Sequence, residues 1–326
     1  MTHGTEQGGG APPPTTGHAL PVYNDEVDER CATGLEEFGE LYIPYERQEA
    51  IRSRINTLRL MSINKRGREG IALPGRELSQ VSQAGKSKVL QAYALEMQRG
   101  PNTKGDINPY RVIYVGLEVR QTLKMLCKKI LKLLGDPHWD LGNADDVRER
   151  LREFMRFRDV ELLIIDEVQH LKGHSNDKVD ITDELKRFLD SGIVPVVFAG
   201  NEEARDFFAS NVQLAARLGD PLELTPLSAK ATDDKKLFRQ FCIDLDEEMR
   251  AAGICRQPSG FGKAGILTGL MKSSGGHVGR VCRIVEVALE HALRRDADMV
   301  EAYDLHHAVD AFAISKGYCQ KNAFAC

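Results

Sequence analysis

Gly85-Lys86-Ser87 and, further along, Asp166-Glu167 are the residues whose types and order could do chemistry. Glycine, lysine and a hydroxyl residue in that order end a phosphate-binding loop. Backbone N–H groups there cradle phosphates, the lysine reaches the outer phosphates and the hydroxyl holds Mg²⁺. Asp166 and Glu167 close the apolar run Leu162-Leu163-Ile164-Ile165, the pattern of a buried strand delivering carboxylates to a sheet edge. An Asp at a strand end can hold Mg²⁺ directly or through water, and the next carboxylate can polarise an attacking water. The competing reading of the two acids is a helix N-cap after a strand. Loop and strand together spell nucleoside-triphosphate chemistry; neither does so alone. The full loop pattern has a glycine at position 80, where this chain has Gln80. A glycine there lets the strand turn without a Cβ, so reduced affinity or slower turnover is expected.

These groups need a sheet to carry them. Strand-like runs at 76–81, 111–117, 161–165, 193–199 and 222–225 alternate with helical patterns at 87–97, 120–134, 144–157 and 180–191. That alternation predicts an α/β fold: a five-stranded parallel sheet with helices on both faces. After Pro226 the strand signal stops. Helical patterns at 233–251, 263–272, 278–294 and 300–315 predict a second, all-helical domain. The expected division is a tail at 1–38, the α/β domain at 39–228, the helical domain at 229–314 and a tail at 315–326. Residues 1–22 are rich in Gly, Pro and Thr and cannot bury enough apolar surface to order themselves. Residues 24–40 are strongly acidic, and order is expected to begin near Leu41.

With 326 residues, 42% of them hydrophobic, the chain can bury a sizeable core. No apolar run is long enough for a membrane span, and the N-terminus lacks a signal-peptide pattern. Seven cysteines, an odd number with no C-x-x-C pair, read as reduced thiols in a cytoplasmic protein. His170 and His174 lack a third ligand nearby and read as a surface pair. The net charge of −4 does not advertise nucleic-acid binding, but residues 46–68 and 119–132 are basic patches. Within 120–134, Lys124, Lys128 and Lys132 line one face and Leu123, Leu126, Ile130 and Leu133 another. Taken by itself, such a basic helix is a solvated face.

Over roughly residues 40–314 the chain resembles the AAA+ ATPases and, within them, the TniB/TnsC family of transposition regulators. The resemblance rests on Ser82-Gln83-Ala84-Gly85-Lys86-Ser87, on LLIIDEVQHL at 162–171 and on VPVVFAGN at 194–201. LAARLGDPLELTPL at 214–227 and GGHVGRVCR at 275–283 extend it. It implies ATP as ligand, with Ser82 through Ser87 around the phosphates, Mg²⁺ on Ser87 and Asp166, and Glu167 as base. It further implies Asn201 as the sensor-1 residue that positions the attacking water, where the bland reading is a turn residue. Arg217 falls at the arginine finger that reaches a neighbouring subunit's nucleotide; otherwise it is a surface arginine. Arg280 and Arg283 lie where the helical lid's sensor-2 residues fall, with Gly279 occupying one alignment of that arginine. Arg120 and Lys124 would face duplex backbone in the channel of an oligomer. The function implied is ATP-dependent assembly, as a ring or filament of copies of the chain, on double-stranded DNA. That assembly would recruit a transposase and a TniQ-type target-selection protein, and hydrolysis would release the DNA. Two alternatives stand beside it: a nucleotide-gated scaffold with little hydrolysis, and a related ATPase serving replication loading or secretion.

Overall fold

The computed structural model describes residues 24–65, 71–102, 104–171, 181–209 and 212–325. The glycine- and proline-rich stretch at 1–22, Arg66, Arg68 and His174 lie outside them. The chain order is α1 (Asp25–Glu40), α2 (Glu46–Ile63), β1 (Gly75–Ser79), α3 (Lys86–Arg99), β2 (Val112–Gly116), α4 (Leu123–Leu133) and α5 (Ala144–Phe157). It continues with β3 (Leu162–Asp166), α6 (Ile181–Asp190), β4 (Val196–Gly200), α7 (Glu202–Ala209) and α8 (Val212–Ala215). Four helices follow: α9 (Thr232–Ala251), α10 (Ala264–Ser274), α11 (Val278–Arg294) and α12 (Ala302–Ala308), the last widening into a π-helical turn at Val309–Ile314. No helix among the described residues is long and apolar enough to cross a membrane.

The four strands are all parallel, in the order β1-β4-β3-β2. β3 and β4 are buried at every position, which is why they read as unbroken apolar runs. One apolar layer, with Ile113, Leu163, Ile165 and Phe198, packs against α4 and α5 on one face. The other, with Leu78, Ile164 and Val197, continues through α2 and α3 into the C-terminal helices. A buried ionic cluster, in which Glu161 accepts from Arg59 and from Arg111 Nε (3.0 Å), ties α2 to the entrances of β2 and β3.

The expected fifth strand at 222–225 is not formed. The segment 217–222 does run beside β1, with Gly75 N–H donating to the Arg217 carbonyl and Gly219 N–H to the Gly75 carbonyl, both at 3.0 Å. The next donor in a parallel ladder would be residue 221, and Pro221 has no N–H. Leu222 donates to Glu77 instead, one residue late (2.7 Å), and the pairing ends.

The expected N-terminal tail is also corrected. Helix α1 begins at its cap Asn24, whose side chain accepts the N–H groups of Glu26 (3.1 Å) and Val27 (3.3 Å). Asp25, Glu26 and Asp28 in the first turn suit the helix dipole. Cys31, Gly34 and Phe38 turn inward, and a Cβ on Gly34 would lie 2.7 Å from Leu293 of α11. Arg294 of α11 adds an ion pair to Asp28 at 2.9 Å. At the other end, Asn322 donates to the His306 carbonyl and Asp310, both at 2.8 Å, and Phe324 packs against Gly269. Residues 315–325 are therefore packed against the last helices. All six described cysteines are free thiols.

Candidate functional site

Parallel strands bring their C-terminal ends to one edge of the sheet, and ligands of such sheets bind outside that edge. Here the edge carries the loop after β1, Asp166 at the end of β3 and Asn201 just beyond β4. β4 lies between β1 and β3, so all three features converge.

The loop turns at two left-handed residues, Gln83 (φ 62°) and Gly85 (φ 98°), and Gly85 starts α3. Gln80 is not at positive φ, and its N–H donates to the Gly200 carbonyl at 3.2 Å, extending β1. The turn thus falls after position 80, and the backbone there makes no demand for glycine. The open N-terminus of the 14-residue α3 supplies unsatisfied N–H groups, a ready anion cradle.

Lys86 is 6% exposed, and its Nζ donates to the carbonyls of Gln80 (2.9 Å) and Val81 (3.0 Å). Burial pulls its pKa below the usual lysine range, while Asp166, Glu167 and Glu202 push it back up. Asp166 is 1% exposed; its Oδ1 accepts the Glu167 N–H (2.8 Å) and its Oδ2 the Tyr114 hydroxyl (2.7 Å). Among the described residues neither Lys86 nor Asp166 has an ion-pair partner within 4 Å. A buried cation and a buried anion face one edge, each satisfied only by neutral groups. Burial pushes the Tyr114 phenol well above its usual range, and the Asp166 charge adds to this, so Tyr114 stays a donor.

Glu167 adopts φ 60°, an uncommon conformation for a side chain of its size that costs about 1–3 kcal/mol. Gln169 holds it: Nε2 donates to Glu167 Oε2, and Oε1 accepts the Asn201 N–H at 3.3 Å. Gly200 makes room for this bridge, since a Cβ there would lie 2.6 Å from Gln169 Oε1. The Asn201 side chain itself caps α7, accepting the Glu203 N–H at 3.0 Å.

A cavity of about 490 Å³ opens beside the loop, lined by Ser82, Gln83, Gly85, Lys86, Ser87 and Glu167. Apolar side chains of Phe38, Leu41, Ile43, Phe241 and Leu245 line it too, with Val278, Gly279 and Cys282 of α11 and the charged Lys88, Arg283 and Glu286. Two polar atoms in this wall, Tyr42 Oη and Gln48 Oε1, are buried without partners. Ala84 is packed into the core at 2% exposure behind the loop.

Gly279 sits against the loop itself: a Cβ would lie 2.3 Å from the Gln83 carbonyl oxygen and 2.9 Å from the Gly85 nitrogen. Gly279→Ala is expected to lower stability by about 1–3 kcal/mol through overpacking. Gly265→Ala in α10, where a Cβ meets open space, is expected to be neutral or to stabilise by up to about 1 kcal/mol. Urea unfolding of the pair checks this, and equal midpoints would mean that α11 does not press on the loop. Next to Gly279, Arg280 lies over the Tyr318 ring (4.2 Å) with Nε unpartnered, outside the cavity wall. Burial, reinforced by the charges of Arg280 and Lys86, pushes His277 down to about 4.

The remaining expected residues lie elsewhere. Arg217 is exposed, paired with Asp190 at 2.5 Å, and its carbonyl meets Gly75 at the start of β1. It is thus at the opposite end of β1 from Lys86. Arg120 is exposed with φ 67° in the loop before α4, and Lys124 is half-buried in that helix's first turn. The other lysines of α4 have partners: Lys128 on the Asp140 carbonyl, Lys129 on Glu118, and Lys132 over Trp139.

Ser87, Asp166 and phosphate oxygens would form the hard-oxygen donor set that suits Mg²⁺. Asp166 Oδ2 accepts from the Tyr114 hydroxyl and Ser87 lies near that phenol, so the donor types present suit such an ion. Among the described residues no cluster of three His, Cys, Asp or Glu side chains could hold a metal without such outside ligands.

The family model described as bacterial TniB protein matches residues 39–227. The chain belongs to the TniB family. No curated protein matches the sequence. Solved structures with this fold include Cdc6p of Pyrobaculum aerophilum, at TM-score 0.59 and 16% identity over 89% of this chain and 71% of that one. The Aeropyrum pernix ORC1 protein in complex with DNA follows at TM-score 0.57 and 18% identity, over 85% and 69%. The ADPNP–ADP complex of the A. pernix ORC2 protein gives TM-score 0.59 and 15% identity, over 85% and 71%.

Tyr114, Gln91, Gln169, Gln48 and Gly200 escaped the sequence reading. A faint signal existed for two of them. Gln48 stands on the α2 stripe of Ile51, Ile55 and Leu58, where a polar side chain is out of place. Tyr114 is the single hydroxyl in an otherwise aliphatic strand.

Proposed function

We propose that this TniB-family protein is an ATP-dependent regulator of DNA transposition that assembles on duplex DNA with ATP and disassembles on hydrolysis. The observation that carries the reading is that buried Lys86 and Asp166, neither with an ion-pair partner within 4 Å among the described residues, stand on the edge of a largely apolar cavity. A magnesium nucleoside triphosphate offers each of them an opposite charge and offers the apolar lining a base. The A. pernix ORC2 structure, which shares the fold, holds ADPNP and ADP.

In this reading Lys86 and the α3 N-terminus bind the phosphates, and Ser87 with Asp166 would hold Mg²⁺. Bound Mg²⁺ supplies neutralisation of the charge that develops on the phosphates. Glu167, fixed by Gln169, takes the proton of the attacking water. Asn201, tied to the same glutamine through its backbone, is the sensor-1 residue. Helices α9 to α12 form a lid over the nucleotide, with Gly279 and Val278 at its contact with the loop. Arg217 lies at the far end of β1 from its own site, a location suited to a finger that enters a neighbouring copy's site. Such an arrangement couples nucleotide to assembly, since the site is complete only between copies.

Arg120 and Lys124 are basic groups of the α4 region without an internal partner among the described residues, and they are assigned to DNA phosphates. Such contacts are independent of sequence and weaken with salt. The assembly in turn recruits a transposase and a TniQ-type targeting protein. The test is electron microscopy and filter binding of the protein with duplex and either ATP analogue or ADP, over a salt series. Ordered assemblies with the analogue alone, lost in the Arg120→Ala/Lys124→Ala protein, are expected. Equal DNA binding with ADP, or salt-insensitive binding, would reject the assignment.

A further inference from the structure

One hydroxyl outside the expected site touches the carboxylate assigned to the metal. In the β2–β3 ladder Tyr114 pairs with Ile164, and Gly116 pairs with Asp166. Residues two apart on a strand share a face, so Tyr114 and Asp166 are diagonal neighbours, within reach of a long side chain. Gly116 has open space where a Cβ would stand, so nothing on β2 intervenes between them. Tyr114 Oη donates to Asp166 Oδ2 at 2.7 Å and accepts from Gln91 Nε2 of α3 at 3.2 Å. Ser87, one helical turn before Gln91 at the start of α3, lies near the same phenol.

We propose that Tyr114 is a positioning residue for the metal: its hydroxyl fixes the Asp166 carboxylate beside the start of α3 before nucleotide arrives. The argument rests on the reading of the cavity as a magnesium–triphosphate site. Asp166 is anchored on one side by its own chain, through the Glu167 N–H on Oδ1, and on the other by Tyr114. Each carboxylate oxygen receives one donor and keeps lone pairs for an ion or its water. Without the phenol, Oδ2 would be free to rotate or to swing toward Lys86, whose charge already acts on it. Partners of this kind, one step behind a metal ligand, typically change metal affinity by roughly 10–100-fold when removed.

The test is Tyr114→Phe, which keeps the ring and removes the hydroxyl. Binding of a fluorescent ATP analogue is titrated with Mg²⁺ and, separately, measured in EDTA. The Mg²⁺ concentration at half-saturation is expected to rise roughly 10-fold, with affinity in EDTA unchanged. A structural role alone would weaken binding equally in both conditions, and that result overturns the proposal, as does an unchanged Mg²⁺ dependence. Gln91→Ala, at an exposed position of α3, is the second variant, expected to shift half-saturation in the same direction by a smaller factor. No shift in Gln91→Ala, if Tyr114→Phe fails to fold, also counts against it. If the unmodified protein binds the analogue in neither condition, the triphosphate reading itself is wrong and the role of Tyr114 goes with it. Magnesium-independent binding by the unmodified protein would spare that reading and refute this one.

Discussion

A Lys86→Ala protein is expected to lose ATP affinity by a factor of roughly thirty to several thousand while retaining its fold. Truncating one member of a desolvated, hydrogen-bonded charge pair costs about 2–5 kcal/mol, and each 1.4 kcal/mol is tenfold. With a bound phosphate Lys86 would form such a pair, being 6% exposed and lacking any acidic partner within ion-pair distance among the described residues. In the free protein it leans on the carbonyls of Gln80 and Val81, groups that a phosphate oxygen outcompetes. Calorimetry with saturating Mg²⁺ measures the loss, and circular dichroism checks the fold. An affinity within twofold of the unmodified protein would show that the cavity takes some other ligand.

The Glu167→Gln protein is expected to behave in the opposite way, binding ATP normally and hydrolysing it roughly 10²–10⁴-fold more slowly. Glutamine keeps the size and one acceptor oxygen, so the left-handed turn and the contact with Gln169 can persist. It cannot take a proton. Phosphate release under single-turnover conditions measures the chemistry, and retention on duplex after a chase with ADP measures disassembly. A protein that hydrolyses at the normal rate would move the base elsewhere, and one that leaves DNA normally would uncouple hydrolysis from release.

The two substitutions separate binding from chemistry because their targets sit on different strands. Lys86 follows β1 and Glu167 follows β3, with β4 between them. Gln169 and Gly200 make the connection from β3 to β4, so the state of Glu167 is tied to the backbone of Asn201.

The turn at Gly85-Lys86-Ser87 into α3, the acidic strand end and the four strands of the sheet were legible in the sequence because each is a local pattern. A loop of Gly85-Lys86-Ser87 and a run of branched apolar residues ending in acids declare themselves within ten residues. Three other features were not local. The segment at 222–225 has strand-like residues, but the missing N–H of Pro221 breaks its ladder with β1. Helix α1 looked like a solvated acidic stretch because its burial depends on Leu293 and Arg294, far along the chain. The demand for glycine at position 80 was a family pattern, and the backbone there has no positive φ.

The sequence by itself determined which residues have the types and spacing of a phosphate site, because backbone cradling, lysine charge and carboxylate chemistry depend on residue type and spacing. Only the tertiary structure decided what holds them: Tyr114 on Asp166, Gln169 on Glu167, and Gly279 against the loop. Those contacts join elements distant in the chain, and hydrogen bonds and close approaches are properties of position in space. No periodicity along the chain encodes them.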